Sequence, residues 1–131
     1  MFGFFKNKSK EKDKLFLAEL SVFSSDFDYV MSAIDPNGAE EMISRAINNY
    51  KEQTPDEKDH TPSDFYFNAF TGAIFELTLN SIITPESSLS IFVMTDNFLQ
   101  GQPKYHTPLA ISLMNEWQST LIDLGAIQNY K

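Results

Sequence analysis

Apolar positions in this chain recur at three- and four-residue intervals, the spacing that aligns side chains on one face of an α-helix. From about Leu15, the stripe Phe16, Leu20, Phe23, Phe27, Val30, Met31 and Ile34 predicts a first helix, with a break allowed at Ser24-Ser25-Asp26. Asp35-Pro36-Asn37-Gly38 ends it, because the residue before a proline avoids helical angles and the tetrapeptide favours a turn. Asn37 then stands where a cap belongs, with Glu40 three residues on, and Ala39, Met42, Ile43, Ala46, Ile47 and Tyr50 share one face of a second helix. Lys51 to His60 offers no core residue and reads as a solvated connection.

Three Thr-Pro pairs punctuate the second half: Thr61-Pro62, Thr84-Pro85 and Thr107-Pro108. A threonine hydroxyl can accept from a free N–H of the first turn, and proline loses nothing at the first helical position, so each pair predicts a helix start. In the last of these helices Ala110, Leu113, Met114, Trp117, Leu121 and Leu124 share a face, and Gly125 is placed to stop it. The stretch from 73 to 95 is ambiguous. Phe75, Leu77 and Leu79 alternate with Glu76, Thr78 and Asn80, and Leu89 to Thr95 is rich in strand formers. The repeated caps favour a mainly α chain, a compact bundle of about five helices; the alternative is an α+β domain with one hairpin at 73–95.

A chain of 131 residues has the size of one domain, here expected over 15–131. Twelve phenylalanines supply much of its core, and any left at the surface is a candidate docking point. Residues 1–14 read as a flexible lysine-rich tail. Residues 6 to 14 hold five lysines against Glu11 and Asp13, whereas from Leu15 onward sixteen acidic residues face five basic ones. So acidic a body repels nucleic-acid phosphates and favours a basic protein partner. The absence of cysteine removes disulfides and thiol chemistry and suits the cytoplasm; with neither a secretory signal nor an apolar run long enough to span a membrane, the chain reads as a soluble protein.

Little here suggests catalysis. His60 and His106 are the only imidazoles, and Asp56, Asp59 and Asp64 near His60 match no established metal-ligand spacing. Arg45 is the only arginine, and the five glycines are scattered singly, so no phosphate loop exists. No catalytic, cofactor or metal residue is assigned. An enzyme remains a third reading, with His106, Tyr105 and Glu116 as the groups that must converge. Two features can carry binding. Glu40, Glu41, Glu52, Asp56, Glu57, Asp59 and Asp64 form an acidic set able to steer a basic partner. Phe2, Phe4 and Phe5 beside the lysines combine an apolar anchor with basic charge, the logic of weak peripheral membrane contact. The leading expectation is a non-enzymatic acidic module that binds and masks or inhibits a basic protein, similar in general character to inhibitors, immunity proteins and chaperones; a peripheral membrane adaptor is the alternative.

Overall fold

The computed structural model describes the backbone of residues 2–53 and 60–127, and side chains from Glu11 onward within those limits. The described residues form six α-helices: α1 (Phe2–Asp26), α2 (Asp28–Ile34), α3 (Gly38–Lys51), α4 (Pro62–Leu79), α5 (Pro85–Gly101) and α6 (Pro108–Asp123). A single 3-10 turn, Pro103–Tyr105, links α5 to α6. Helix α4 is the centre, packing against α1, α3, α5 and α6, while α2 lies on α3 and α5. Its first half buries Phe65, Tyr66, Phe67, Ala69 and Phe70 almost all round, as a helix enclosed by neighbours must.

Each Thr-Pro pair starts a helix. Thr61, Thr84 and Thr107 hydroxyls accept from the N–H of Asp64 (3.2 Å), Ser87 (3.0 Å) and Ala110 (3.0 Å). At α4 the Asp64 carboxylate also accepts from the Thr61 N–H at 3.1 Å, closing a reciprocal box. Gly125 ends α6 as expected: with φ of 81° it lets its own N–H reach the Ile122 carbonyl and the Ala126 N–H reach Leu121. Helix α4 ends in the same hydrogen-bond pattern through Ser81 at φ 59°, a conformation that costs a residue bearing Cβ.

Three boundaries differ from the sequence pattern. Helical backbone begins at Phe2 rather than near Leu15; lysine and glutamate are good helix formers, and the Tyr50 hydroxyl donates to Asp13 at 3.1 Å, tying this part of α1 to α3. The first stripe is split at Phe27 into α1 and α2, so the described helices number six rather than five. Residues 73–95 are the end of α4 and the start of α5 joined by a turn, the helical reading that the caps favour over a hairpin. There Thr78 turns its hydroxyl onto the Ile74 carbonyl, 2.7 Å away, so the residue that reads as strand is satisfied within α4. Asn37 occupies the start of α3 without a side-chain cap; instead the Asp35 carboxylate accepts the Asn37 N–H at 3.0 Å. A Cβ at Gly38 beside it would lie 2.6 Å from the terminal methyl of Met31 in α2, which would have to swing aside.

Aromatic rings fill the core. Phe27 is surrounded by Phe23, Tyr66, Phe67, Phe70 and Phe98, mostly edge to face. Trp117, fully buried, is the second hub, with Phe92, Phe75 and Phe70 around it. Its indole N–H donates to the Ser88 hydroxyl at 3.1 Å, and Ser88 lies 3.1 Å from Thr78. With one proton per hydroxyl, all contacts are met when Trp117 donates to Ser88, Ser88 to Thr78, and Thr78 to the Ile74 carbonyl. That chain ties α6, α5 and α4 together inside the core. No phenylalanine among those with described side chains is exposed.

Candidate functional site

Helix α1 carries two apolar stripes. Phe16, Leu20, Phe23 and Phe27 are buried, whereas Leu15, Ala18 and Val22 lie roughly a third of a turn away on the helix surface. Leu15 is 60% and Val22 54% exposed, comparable to Leu79, Ile82 and Ile111 elsewhere on the surface. Helix register places Glu11, Glu19 and Asp26 on the same side. Ala18, Glu19 and Val22 form one wall of a groove of ≈ 440 Å³, mainly apolar, and Leu15 lies outside its lining. Thr61, Pro62 and Ser63 at the head of α4 form another wall, and Lys104 and Tyr105 of the 3-10 turn close one side.

Tyr105 is held rigidly. Its ring meets Phe23 edge to face at 4.7 Å and stacks on Phe98 at 5.8 Å, and its hydroxyl donates to Asp26 at 2.6 Å. Lys104 approaches the same carboxylate at 3.4 Å. The Tyr105 hydrogen bond, aided by Lys104 and opposed by partial burial, holds the Asp26 carboxyl below its ordinary range. Burial first and then the Asp26 charge push the Tyr105 phenol well above its usual value. The end of α1 and the turn before α6 are thereby locked together beside the groove.

The described members of the acidic set, Glu40, Glu41, Glu52 and Asp64, stand apart from one another. Glu40 and Glu41 are exposed in the first turn of α3, where Glu41 pairs with Arg45 at 2.8 Å. Glu52 lies just beyond the other end of the same helix, about 17 Å away along the axis. Asp64 is no surface acid: it is 4% exposed and accepts from the Thr61 N–H and from the Thr107 hydroxyl. An aspartate at the third position of a capped helix looks solvated in sequence, but α6 folds over it. Asp56, Glu57 and Asp59 lie outside the described residues, as do the side chains of Phe2, Phe4 and Phe5.

The histidines have structural partners. His60 sets its ring edge against Phe65 at 5.9 Å, and the His106 ring donates to the Leu99 carbonyl near the end of α5. Tyr105 is committed to Asp26, and Glu116 is exposed on α6; among the described residues no hydrogen bond joins His106, Tyr105 and Glu116. Nor do the described residues hold three potential ligands grouped for a metal ion, or a helix long and apolar enough to cross a membrane. Sequence reasoning missed the groove. Its signal was present in Leu15, Ala18 and Val22, the apolar residues of α1 left outside the core stripe. Comparison with protein-family models, with curated proteins and with solved structures finds no match for this chain.

Proposed function

We propose that this chain is a non-enzymatic interaction module that binds a basic protein partner, and that the groove between α1, the head of α4 and Tyr105 is its docking face. The observation that carries this reading is the second stripe of α1: exposed Ala18 and Val22 line the groove beside Tyr105, with Glu19 among its lining residues. Exposed apolar surface rimmed by polar groups is characteristic of binding sites, and a rigid Tyr105 supplies contact area at low entropy cost. The formal charge of −8 steers basic partners toward the surface and sets the salt dependence of the encounter. Masking or inhibition follows from coverage of the partner, with no chemistry asked of the module.

The test is a photo-crosslinking residue introduced at Val22 and, as a control, at exposed Ser112 of α6 in the full chain. Expression in the native host should give one salt-sensitive adduct with a basic protein through position 22 and none through position 112. Adducts equally abundant at both positions, or none at position 22, would remove the groove from consideration.

A further inference from the structure

The packed pair α3 and α4 carries a second cleft, which shares no residue with the docking groove. We infer that it binds an extended segment of a partner polypeptide, held through its main-chain amides by asparagine side chains. Tyr50 near the end of α3 meets Phe65 near the start of α4, while Arg45, earlier in α3, shares the cleft with Gly72 and Ala73, later in α4. The two helices therefore run in opposite directions. On their outer side Arg45, Asn48 and Asn49 stand opposite Asn68, Gly72 and Ala73 across ≈ 380 Å³. A recess of ≈ 150 Å³, again lined by Asn49 and Asn68, continues to His60 and to Leu109 at the start of α6.

Two residues of α4 stand here against the preference of their own helix. Asn68 and Gly72, four residues apart and so on one face, both weaken a helix relative to alanine. Nothing inside the described chain calls for the glycine: a Cβ at position 72 would meet no atom within 4 Å, and its φ is not positive. A glycine in mid-helix with open space before it lets an outside chain come close to the backbone. The asparagines are available as well. Among the described residues no hydrogen bond engages the carboxamides of Asn48, Asn49 or Asn68; Thr71 bonds only to the Asn68 main-chain carbonyl. A carboxamide offers an acceptor and two donors in one plane, which matches the C=O and N–H that an extended main chain presents, whereas a helix has both paired within itself. Arg45 is the one cation lining the larger cleft and is already bonded to Glu41 at 2.8 Å, so a phosphate backbone finds no counter-charge there. That cleft also holds no aromatic ring on which a sugar could rest. From Ala73 to Asp64 the α4 wall is about 14 Å long, room for about four extended residues.

The probe is a displayed library of hexapeptides, randomised at every position and selected on the immobilised full chain. Enriched sequences are then synthesised with capped ends, and again with N-methyl groups on alternate main-chain nitrogens. Anisotropy should show the N-methylated forms binding at least about tenfold more weakly, the mark of main-chain recognition. The side-chain amide signals of Asn49 and Asn68 should shift on binding, and the signals of Val22 in the docking groove should not. Asn68→Ala and Gly72→Ala should each raise the thermal midpoint by about 2 to 5 °C, because alanine is the better helix former. Asn68→Ala should nevertheless weaken the peptide about tenfold, and Gly72→Leu, which fills the open space, should weaken it more. Weaker binding by a more stable protein is a result that loss of structure cannot produce. No enrichment over an unrelated helical protein, equal affinity for N-methylated peptides, or unaltered affinity in Asn68→Ala or Gly72→Leu overturns the inference. So does a lower thermal midpoint in Gly72→Ala, or a set of shifts centred on Val22.

Discussion

The three Thr-Pro caps look alike in sequence, yet the structure assigns them unequal weights, and a valine series separates them. Thr84 is exposed and caps α5 alone, so Thr84→Val removes one N-cap bond, about 1 kcal/mol. Thr107 accepts from Ala110 and donates to the buried Asp64 carboxylate in addition. Thr107→Val therefore loses a cap and leaves a buried charge with fewer donors. A hydrogen bond to an ionised group contributes about 1.5 to 3 kcal/mol, and the half-buried setting places the total near the lower end, about 2 to 3 kcal/mol. With a urea slope of about 2 kcal/mol per molar, the midpoint should fall by roughly 0.5 M for Thr84→Val and by more than 1 M for Thr107→Val. Far-UV circular dichroism and fluorescence of the single, buried Trp117 provide independent readouts of one transition. A cycle with Asp64→Ala should give a coupling of at least about 1 kcal/mol with Thr107 and almost none with Thr84. Equal midpoint shifts for the two valine variants would refute the joined caps.

Other perturbations test other parts of the fold. Ser88→Ala strands the Trp117 indole N–H in the core and should cost about 2 kcal/mol in a urea melt, against almost nothing for exposed Ser90→Ala; matching losses would sink the internal hydrogen-bond chain. Ser81→Gly relieves a left-handed residue at a cost in unfolded-state entropy, for a net gain of about 0.5 to 1 kcal/mol, and a lower thermal midpoint would contradict it. Asp26 has its folded pKa depressed below 3.8, so the stability it draws from Tyr105 is present above that value and lost as pH falls through the folded value. The difference between the native chain and Tyr105→Phe should accordingly be constant from pH 7 to pH 5 and shrink below pH 3.8; a difference that persists unchanged to pH 2 argues against the carboxylate link.

The helical part of this fold was legible because its signals are local. Thr61, Thr84 and Thr107 act within three residues of themselves, and Gly125 within four, so sequence neighbours suffice to predict them. The α3 stripe of Met42 and Ala46 flanked by Ala39, Ile43, Ile47 and Tyr50 enters the core as its periodicity requires. What was left open or misread turned on a partner that the local pattern does not show. Asp64 reads as a surface acid until Thr107, 43 residues away, is brought onto it. Thr78 and Ser88 read as strand or loop until Trp117 reaches them. Asn37 reads as a cap, but the nearby Asp35 carboxylate takes its N–H and the turn closes differently.

The groove exposes the same limit from the other side. An apolar stripe in a helix reports that something covers it, and by convention that is assumed to be the helix's own bundle. Helix α1 has two such stripes and packs chiefly on α2, α3 and α4, with Phe23 also meeting Phe98 of α5 and Tyr105. At Phe27 the chain breaks into α2, which turns onto α3 and α5 and so leaves the Leu15, Ala18 and Val22 side uncovered. The Tyr105–Asp26 bond fixes that break in place by tying the last residue of α1 to the turn before α6. Had α1 continued straight, its second stripe would still be exposed, but without Tyr105 and Pro62 drawn up beside it there would be a bare helix face. The break at Phe27 and the Tyr105 tether together convert leftover hydrophobic surface into a groove, which is why the groove is a property of the tertiary fold, with only its raw material written in the helix.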